Sequence, residues 1–450
     1  MDFAIDRRHF LFTITGSALA WTMSKEALAA TSAEPRIDPD RLQGTLEELS
    51  TFGRPAGGSF ADGVSRVAYS DADIAGRAYV MGLMKSAGLD PVIDPAGNIV
   101  GRRAGRDRSA MPILMGSHID SVRSGGNFDG DVGSMGAIEV IRTLNDRKIT
   151  TRHPLEVTIW SNEEGGPMGS AGVVEPVTQE TLALPFNGII MRDGLRRIGG
   201  NPERILKALR PAGSLHCYLE LHIEQGGILE RSAIPIGIVD GIVSIDDYAV
   251  EVQGFANHAG TTPMGERRDA LLAASKLVEA VREIVTRLPG RQVGTVGRFD
   301  VFPNAPNVIP GLVKLSIEFR DLSSDTVARL GAEVSLRAQE IAHQTDTEIS
   351  LKRVAHEPAA LADPLIQEQI AAAAVSLDLK TMHLPSGAGH DAQWLAKLGP
   401  MGMIFIPSIG GISHSPKELS RWSDCGNGAD VLLRTVLRVD GMKLKTLPKV

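Results

Sequence analysis

Cysteine is nearly absent: Cys217 and Cys425 are the only two in 450 residues. Two thiols cannot supply a disulfide framework, so both are expected as isolated thiols in packed regions. Excess positive charge is also missing. The 47 Lys and Arg stand against 54 Asp and Glu, a net charge of −7, which gives no electrostatic reason to expect nucleic acid as a partner. Beyond the amino terminus no segment approaches the length of a membrane span, so no membrane association is expected of a mature chain. Internal repeats and low-complexity tracts are absent too. What remains is a globular composition, 43% hydrophobic and 22% charged, in a chain too long for one ordinary core. Two domains are the expectation.

Residues 1–29 read as a targeting segment and not as part of the fold. Arg7-Arg8-His9-Phe10-Leu11 is followed by an apolar stretch over 12–23 and then by Ala27-Leu28-Ala29, a small-residue cleavage pattern. That is the layout of a secretory signal, and the paired arginines resemble the twin-arginine type that exports folded proteins. A periplasmic location is the expectation.

Along the remaining chain, apolar runs over 111–116, 155–160, 218–221 and 401–406 read as buried strands, and each leads into polar residues. Strands of this kind belong to sheets covered by helices, where ligands gather at the strand carboxyl ends. Helical spacing marks 71–87 and 131–145. The middle of the chain reads strand (248–252), helix (266–288), two strands (292–302 and 312–319), helix (324–343) and strand (347–351). This β-α-β-β-α-β order is the ferredoxin-like split unit. The expected fold is therefore α/β: a mixed, mostly parallel sheet covered by helices over 30–237 and 354–450, with an α+β domain inserted over 238–353.

Five segments gather metal-binding side chains: G-S-H-I-D (116–120), F-D-G (128–130), S-N-E-E-G-G (161–166), L-H-I-E-Q-G (221–226) and G-I-S-H-S-P (411–416). Three imidazoles and two carboxylates suit a pair of divalent cations sharing one carboxylate, as in two-metal hydrolases. Asp129, between a tight glycine setting and a helix start, is the candidate bridge. His118 and His222 would complete one site, Glu164 and His414 the other. Asp120 is placed to accept the second imidazole hydrogen of His118. Glu163, adjacent to Glu164 but free to point elsewhere, is the candidate proton carrier. Zinc, manganese, cobalt and nickel all suit these donors. The other histidines, among them His153, His216, His356 and His383, have no such context and are read as structural.

These residues sit in longer motifs: G-S-H-I-D-S-V, G-G-N-F-D-G-D-V-G, N-E-E-G, L-H-I-E-Q-G, N-H-A-G-T-T-P-M, P-N-V-I-P-G, S-G-A-G-H-D-A and G-I-S-H-S-P-K-E. Together they make the chain resemble the hydantoinase/carbamoylase amidases, within the wider clan of aminoacylase and carboxypeptidase-type metallohydrolases. The likeness runs from about residue 40 to the carboxyl terminus. It implies the same five ligands and Glu163 as base, a catalytic domain, and an inserted domain that serves as lid and pairs two copies into a homodimer. It further implies that His258 reaches the partner's site to stabilise the oxyanion. Asn307 and Arg320 are implied to hold a substrate carboxylate, and Gln225 and His390 to line the pocket. Arg268 is expected to order the turn after His258. Three departures stand out: Gly166-Pro167-Met168 after E-E-G, Gly227 after L-H-I-E-Q-G, and Asp246-Asp247 where allantoate-processing members tend to carry a basic residue.

The expected reaction is hydrolysis of the carbamoyl C–N bond of an N-carbamoyl-L-amino acid or related ureido acid, a small molecule bearing a carboxylate. Allantoate hydrolysis and an aminoacylase or dipeptidase activity are the enzymatic alternatives, and His222 argues against the latter because peptidase members usually carry an acid there. A periplasmic binding protein without catalysis is the alternative from another class, and Glu163 argues against it.

Overall fold

A computed structural model describes residues 34–166 and 168–444. The expected signal segment lies outside them. The chain divides into two units. Of the first, Met1–Arg36, only residues 34–36 are described, and they hold no helix or strand. The second, Ile37–Val450, contains everything discussed below.

Its main sheet has nine strands. Four lie side by side at the centre and run parallel: Leu155–Trp160, Ile113–His118, Cys217–Ile223 and Met401–Ile406. Every residue of these four is buried. Near-continuous apolar sequence is what such a position requires, because both faces of a central parallel strand are covered. Alternate side chains feed two cores. Ile113, Met115, Leu219, Ile404 and Ile406 pack with the helices Pro39–Leu49, Asp131–Asp146, Pro364–Val375 and Trp422–Val439. Leu114, Tyr218, Met403 and Phe405 face shorter helices on the other side. Antiparallel strands flank the centre, Ile99–Arg103 on one side and Ile236–Ile242 on the other. Cys217 and Cys425 are buried free thiols in the first core.

The helix Asp131–Asp146 lies very close to the sheet. A Cβ on Gly133 would come within 2.1 Å of the Leu221 carbonyl oxygen, so only glycine permits this approach. The helix start, and Asp129 just before it, is thereby held against the strand that carries His222.

A second, four-stranded antiparallel sheet has the order Val293–Phe302, Leu312–Asp321, Ser244–Gln253, Glu348–Glu357. The helices Ala270–Arg287 and Ser324–Thr345 cover one face and make a separate core with it. This is the ferredoxin-like arrangement. The chain leaves the main sheet at Val243, directly after Ile236–Ile242, and rejoins it at Ala360–Leu361. Positions 238 and 353 thus fall inside strands, not between them. Among the described residues no helix is long and apolar enough to cross a membrane.

Candidate metal centre

All four central strands end at one place. His118 is the last residue of its strand, and His222 the penultimate residue of its own. Glu163 and Glu164 follow Trp160, and His414 lies in the loop after Ile406. Their donor atoms form two groups that share Asp129: His118, Asp129 and His222, and Asp129, Glu164 and His414. Asp129 Oδ1 is 3.2 Å from His222 Nε2 and 3.6 Å from His118 Nε2. Its Oδ2 is 3.2 Å from His414 Nε2, which is 3.5 Å from Glu164 Oε2. One carboxylate oxygen therefore serves each group, the geometry of a bridge.

Local structure sets these donors. Gly130, at φ +67°, lets the chain turn under the His118 ring; a Cβ there would lie 2.5 Å from it. The Nδ1 of His118 donates to the Asp120 carbonyl (2.9 Å) and that of His222 to the Ile223 carbonyl (2.9 Å). Both Nε2 atoms are thus left facing Asp129. Asn162, Gln225 and His414 adopt left-handed backbone conformations (φ +53°, +58° and +54°) in the loops bounding the site. Such non-glycine residues are held at a cost of order 1–3 kcal/mol each, as is common at functional sites.

Asp120 acts differently from the expectation. Its main-chain carbonyl, not its carboxylate, fixes the His118 tautomer. The carboxylate oxygens instead accept from the backbone N–H groups of Glu163 and Glu164, each at 3.2 Å. The side chain pins the E-E turn because two amides on that turn need an acceptor and no strand supplies one.

The electrostatics are those of a site built for cations. Burial, then the charges of Asp391, Glu164, Asp120 and Asp129, push Glu163 well above the usual carboxylate range. Burial and Asp129 raise Glu164 to about 8. Burial works to lower His222, but Asp129 overrides it and raises the imidazole to about 9. The hydrogen bond with Asp129 does the same for His414, also to about 9. The field of Asp129 thus favours positive charge at both rings, the field a bound cation would meet. Glu164 Oε1 is buried without a well-formed hydrogen bond. An orphaned carboxylate oxygen, crowded buried acid groups and five convergent donors fit a pair of divalent ions.

One cavity of about 280 Å³ holds both donor groups together with Glu163, Gln225, Arg320 and His390. Gln225 donates from Nε2 to Asp129 Oδ2 (2.8 Å). His390 is buried edge-on against His222, with ring centroids 4.5 Å apart, and its Nε2 is 2.8 Å from Ser386 Oγ. Arg320 enters from the inserted domain. His258 and Asn307 do not reach this cavity within one chain. They neighbour each other on the inserted domain, where Ala259 N–H donates to the Asn307 carbonyl (3.0 Å) and His258 is exposed. The turn after His258 is tied by Arg267, through Thr262 and Ala259 carbonyls, and not by Arg268, which bonds the Asp346 carbonyl. Adjacent arginines alternate in direction, so only one can face the turn.

Two functional residues escape assignment from the sequence. Glu418 Oε1 accepts the backbone N–H groups of Phe128 (2.9 Å) and Asp129 (3.0 Å), and its Oε2 accepts Ser413 Oγ–H (2.8 Å). It fastens the loop of the bridging carboxylate to the loop of His414. Asp391, fully buried, is the strongest neighbouring charge on Glu163. Both stand inside quoted motifs, S-P-K-E and G-H-D-A, which was the available signal.

The covered parallel sheet and shared-carboxylate centre have the form of a two-metal hydrolase. Residues 114–438 match the model of peptidase family M20/M25/M40. An N-carbamoyl-L-amino acid amidohydrolase of Geobacillus stearothermophilus is 36% identical, covering 89% of this chain and 98% of that protein. A ureidoglycolate hydrolase of Arabidopsis thaliana is 34% identical over 90% of this chain and 87% of its own length. Among solved structures, a hydantoinase/carbamoylase family amidase from Burkholderia multivorans is 36% identical, with a TM-score of 0.82 over 91% and 99% of the two chains. The chain belongs to family M20/M25/M40 and, within it, to the hydantoinase/carbamoylase amidases. It is an amidohydrolase of a metal-dependent family.

Proposed function

We propose that this amidohydrolase cleaves the carbamoyl C–N bond of N-carbamoyl-L-amino acids or closely related ureido acids. The observation that carries the proposal is the single cavity in which Glu163, the shared-carboxylate centre and Arg320 face one another. A substrate with a carboxylate for Arg320 and a ureido carbon for the shared-carboxylate centre matches the chemistry of that lining. The named substrates of the relatives at 34–36% identity support it.

Two divalent cations, one on His118, Asp129 and His222 and one on Asp129, Glu164 and His414, would supply Lewis acidity for the attacking water and the ureido oxygen. Zinc, manganese, cobalt and nickel all suit the donors. The chain's own groups do the rest. Glu163, 3.9 Å from His118 Nε2, takes a proton from water as its oxygen bonds to the ureido carbon. It returns that proton to the amino-acid nitrogen as the C–N bond breaks. The amino acid leaves, and the carbamate left behind decomposes to carbon dioxide and ammonia. Arg320 orients the carboxylate.

A second copy of the chain would complete the site by bringing His258 to the oxyanion and Asn307 to the carboxylate, which accounts for their exposure away from their own cavity. Export through the segment 1–29 belongs to the same proposal. Glu163→Gln tests the chemistry: metal content should persist while ammonia release from ureido acids is lost. Full turnover in that variant would remove Glu163 from the mechanism. Faster turnover of N-acyl amino acids or dipeptides than of ureido acids by the wild type would replace the substrate.

A further inference from the structure

Among the described residues Arg320 is the one arginine lining the cavity, and its surroundings are unusually acidic. A guanidinium offers five N–H donors. Here Nε and Nη2 both bind the Glu318 carboxylate, at 2.7 and 3.0 Å, and Nη1 binds the Gly387 carbonyl at 2.7 Å. Two N–H groups remain for a ligand, but the charge is already matched by Glu318.

Two further carboxylates act on this group. Asp247 and Glu357 both lie close enough for their charges to be felt at Arg320. Glu357 lines the cavity itself. Its side chain makes no hydrogen bond or ion pair among the described residues. Burial, together with Asp247 and Glu318, holds it above the usual carboxylate range despite Arg320. The neighbouring basic side chains have partners of their own, Arg353 and His356 at Asp246 and Lys397 at Glu175, although His356 also acts on Glu357. A plain ureido acid, bringing only its carboxylate, would add negative charge where three carboxylates already face one arginine.

Glu357 also stands at an opening. With Gln393 and Trp394 it lines a second cavity, of about 270 Å³, whose walls include Pro358, Ala360 and Leu361. A substrate side chain that leaves the reacting centre on that side passes the Glu357 carboxylate.

We propose that Glu357 is a specificity residue, and that the preferred substrates are ureido acids whose side chain carries a cation. The carboxylate takes the two free N–H groups of Arg320 and the side-chain cation takes Glu357, so the ligand adds no net charge to a pocket that already holds more acid than base. This rests on the ureido reading above. The Glu357 side chain bonds neither Glu163 nor any candidate metal ligand, so its effect is assigned to substrate affinity and not to the bond-breaking step.

The test separates binding from chemistry. In metal-loaded protein carrying Glu163→Gln, calorimetry compares N-carbamoyl-L-lysine with N-carbamoyl-L-norleucine, close in length but without the charge. The lysine compound should bind at least about tenfold more tightly, the scale of one half-buried charge pair. Adding Glu357→Gln should bring the ratio close to one. In wild-type enzyme the same ratio should appear in KM, with kcat little changed. Equal binding of the two compounds, binding of neither, or a ratio that survives Glu357→Gln would overturn the proposal. Selective binding of the lysine compound without hydrolysis of any ureido acid by the wild type would support it while removing the ureido reaction.

Discussion

The two regions of the molecule divide the work unequally. In the α/β body the five candidate ligands and Glu163 meet within one chain, because the loops that follow four adjacent parallel strands all open on the same sheet edge. In the inserted domain the candidate residues are dispersed: Arg320 lines the cavity, whereas His258 and Asn307 are exposed and do not. The body is buried around its strands, while the insert's strand Val293–Phe302 has no fully buried residue, and Phe255 and Met264 are 61% and 75% exposed. A site built on rigid, doubly covered strands can fix donor distances to fractions of an ångström, as metal chemistry demands. A site built on a mobile or paired element can select and close around a substrate. The candidate ligands and Glu163 lie in the first region, and the second brings Arg320 and Glu357 to the same cavity.

If that division holds, damage to the body should cost the most. Removing divalent ions by chelation should abolish ammonia release altogether, and adding back zinc, manganese or cobalt should restore it; activity that survives exhaustive chelation would break the comparison outright. Glu163→Gln should lower kcat by roughly 10²–10⁴-fold, the usual contribution of a positioned general base. Metal content by elemental analysis should be unchanged.

Changes in the insert should cost less and should be rescuable. His258→Ala is expected to lower kcat by about 10²–10³-fold, as for loss of one oxyanion donor. If His258 serves a partner's site, co-expressing His258→Ala with Glu163→Gln should recover activity, since mixed dimers contain one intact site. No recovery would assign His258 to its own chain or to none.

The body was also the more legible region. Runs such as 155–160 and 401–406 are uniformly apolar because their strands are covered on both faces, and the polar residues after them mark the strand ends where His118, Glu163 and His414 gather. The periodicities in the insert reveal its strands and helices to within a few residues, except that the last strand, expected over 347–351, continues to Glu357. What sequence order does not reveal is which atom of a residue is used. Asp120 was readable as the support of His118, but whether its carbonyl or its carboxylate serves depends on the path of the turn. Arg267 and Arg268 are equivalent on paper and opposite in space. Glu418 is far from Asp129 along the chain, and only the closeness of two loops makes it the clasp between them.

The contact between helix and sheet in the body offers a stability test. Gly133→Ala would press a methyl group into the Leu221 carbonyl, where a Cβ has only 2.1 Å. The helix must shift, at a cost of about 1–3 kcal/mol by analogy with overpacked cores. Because Asp129 precedes this helix, metal affinity should fall along with Tm. A lower Tm with unchanged metal affinity would show that the bridge is held by Glu418 and Gln225 alone.

The smallest expected effect lies at the far side of the body. The rings of His153 and His216 are stacked, with centroids 3.9 Å apart, and His216 Nε2 bonds the Val439 carbonyl at 3.0 Å. Burial lowers the pKa of His216, with the neighbouring His153 adding to the effect and the Val439 carbonyl opposing it. A histidine whose folded-state pKa is depressed binds fewer protons folded than unfolded. Its contribution to stability is therefore present above its unfolded pKa of about 6.5 and is lost as the pH falls below that. Thermal melts of wild type and His216→Gln from pH 7.5 to 5 should converge toward acid, because the wild type alone has this proton to take up. The site tests whether the body tolerates acid independently of the metal centre. The same convergence in zinc-saturated protein, where the ligand imidazoles are blocked, would assign it to the stacked pair, and parallel curves would remove His216 from the acid response.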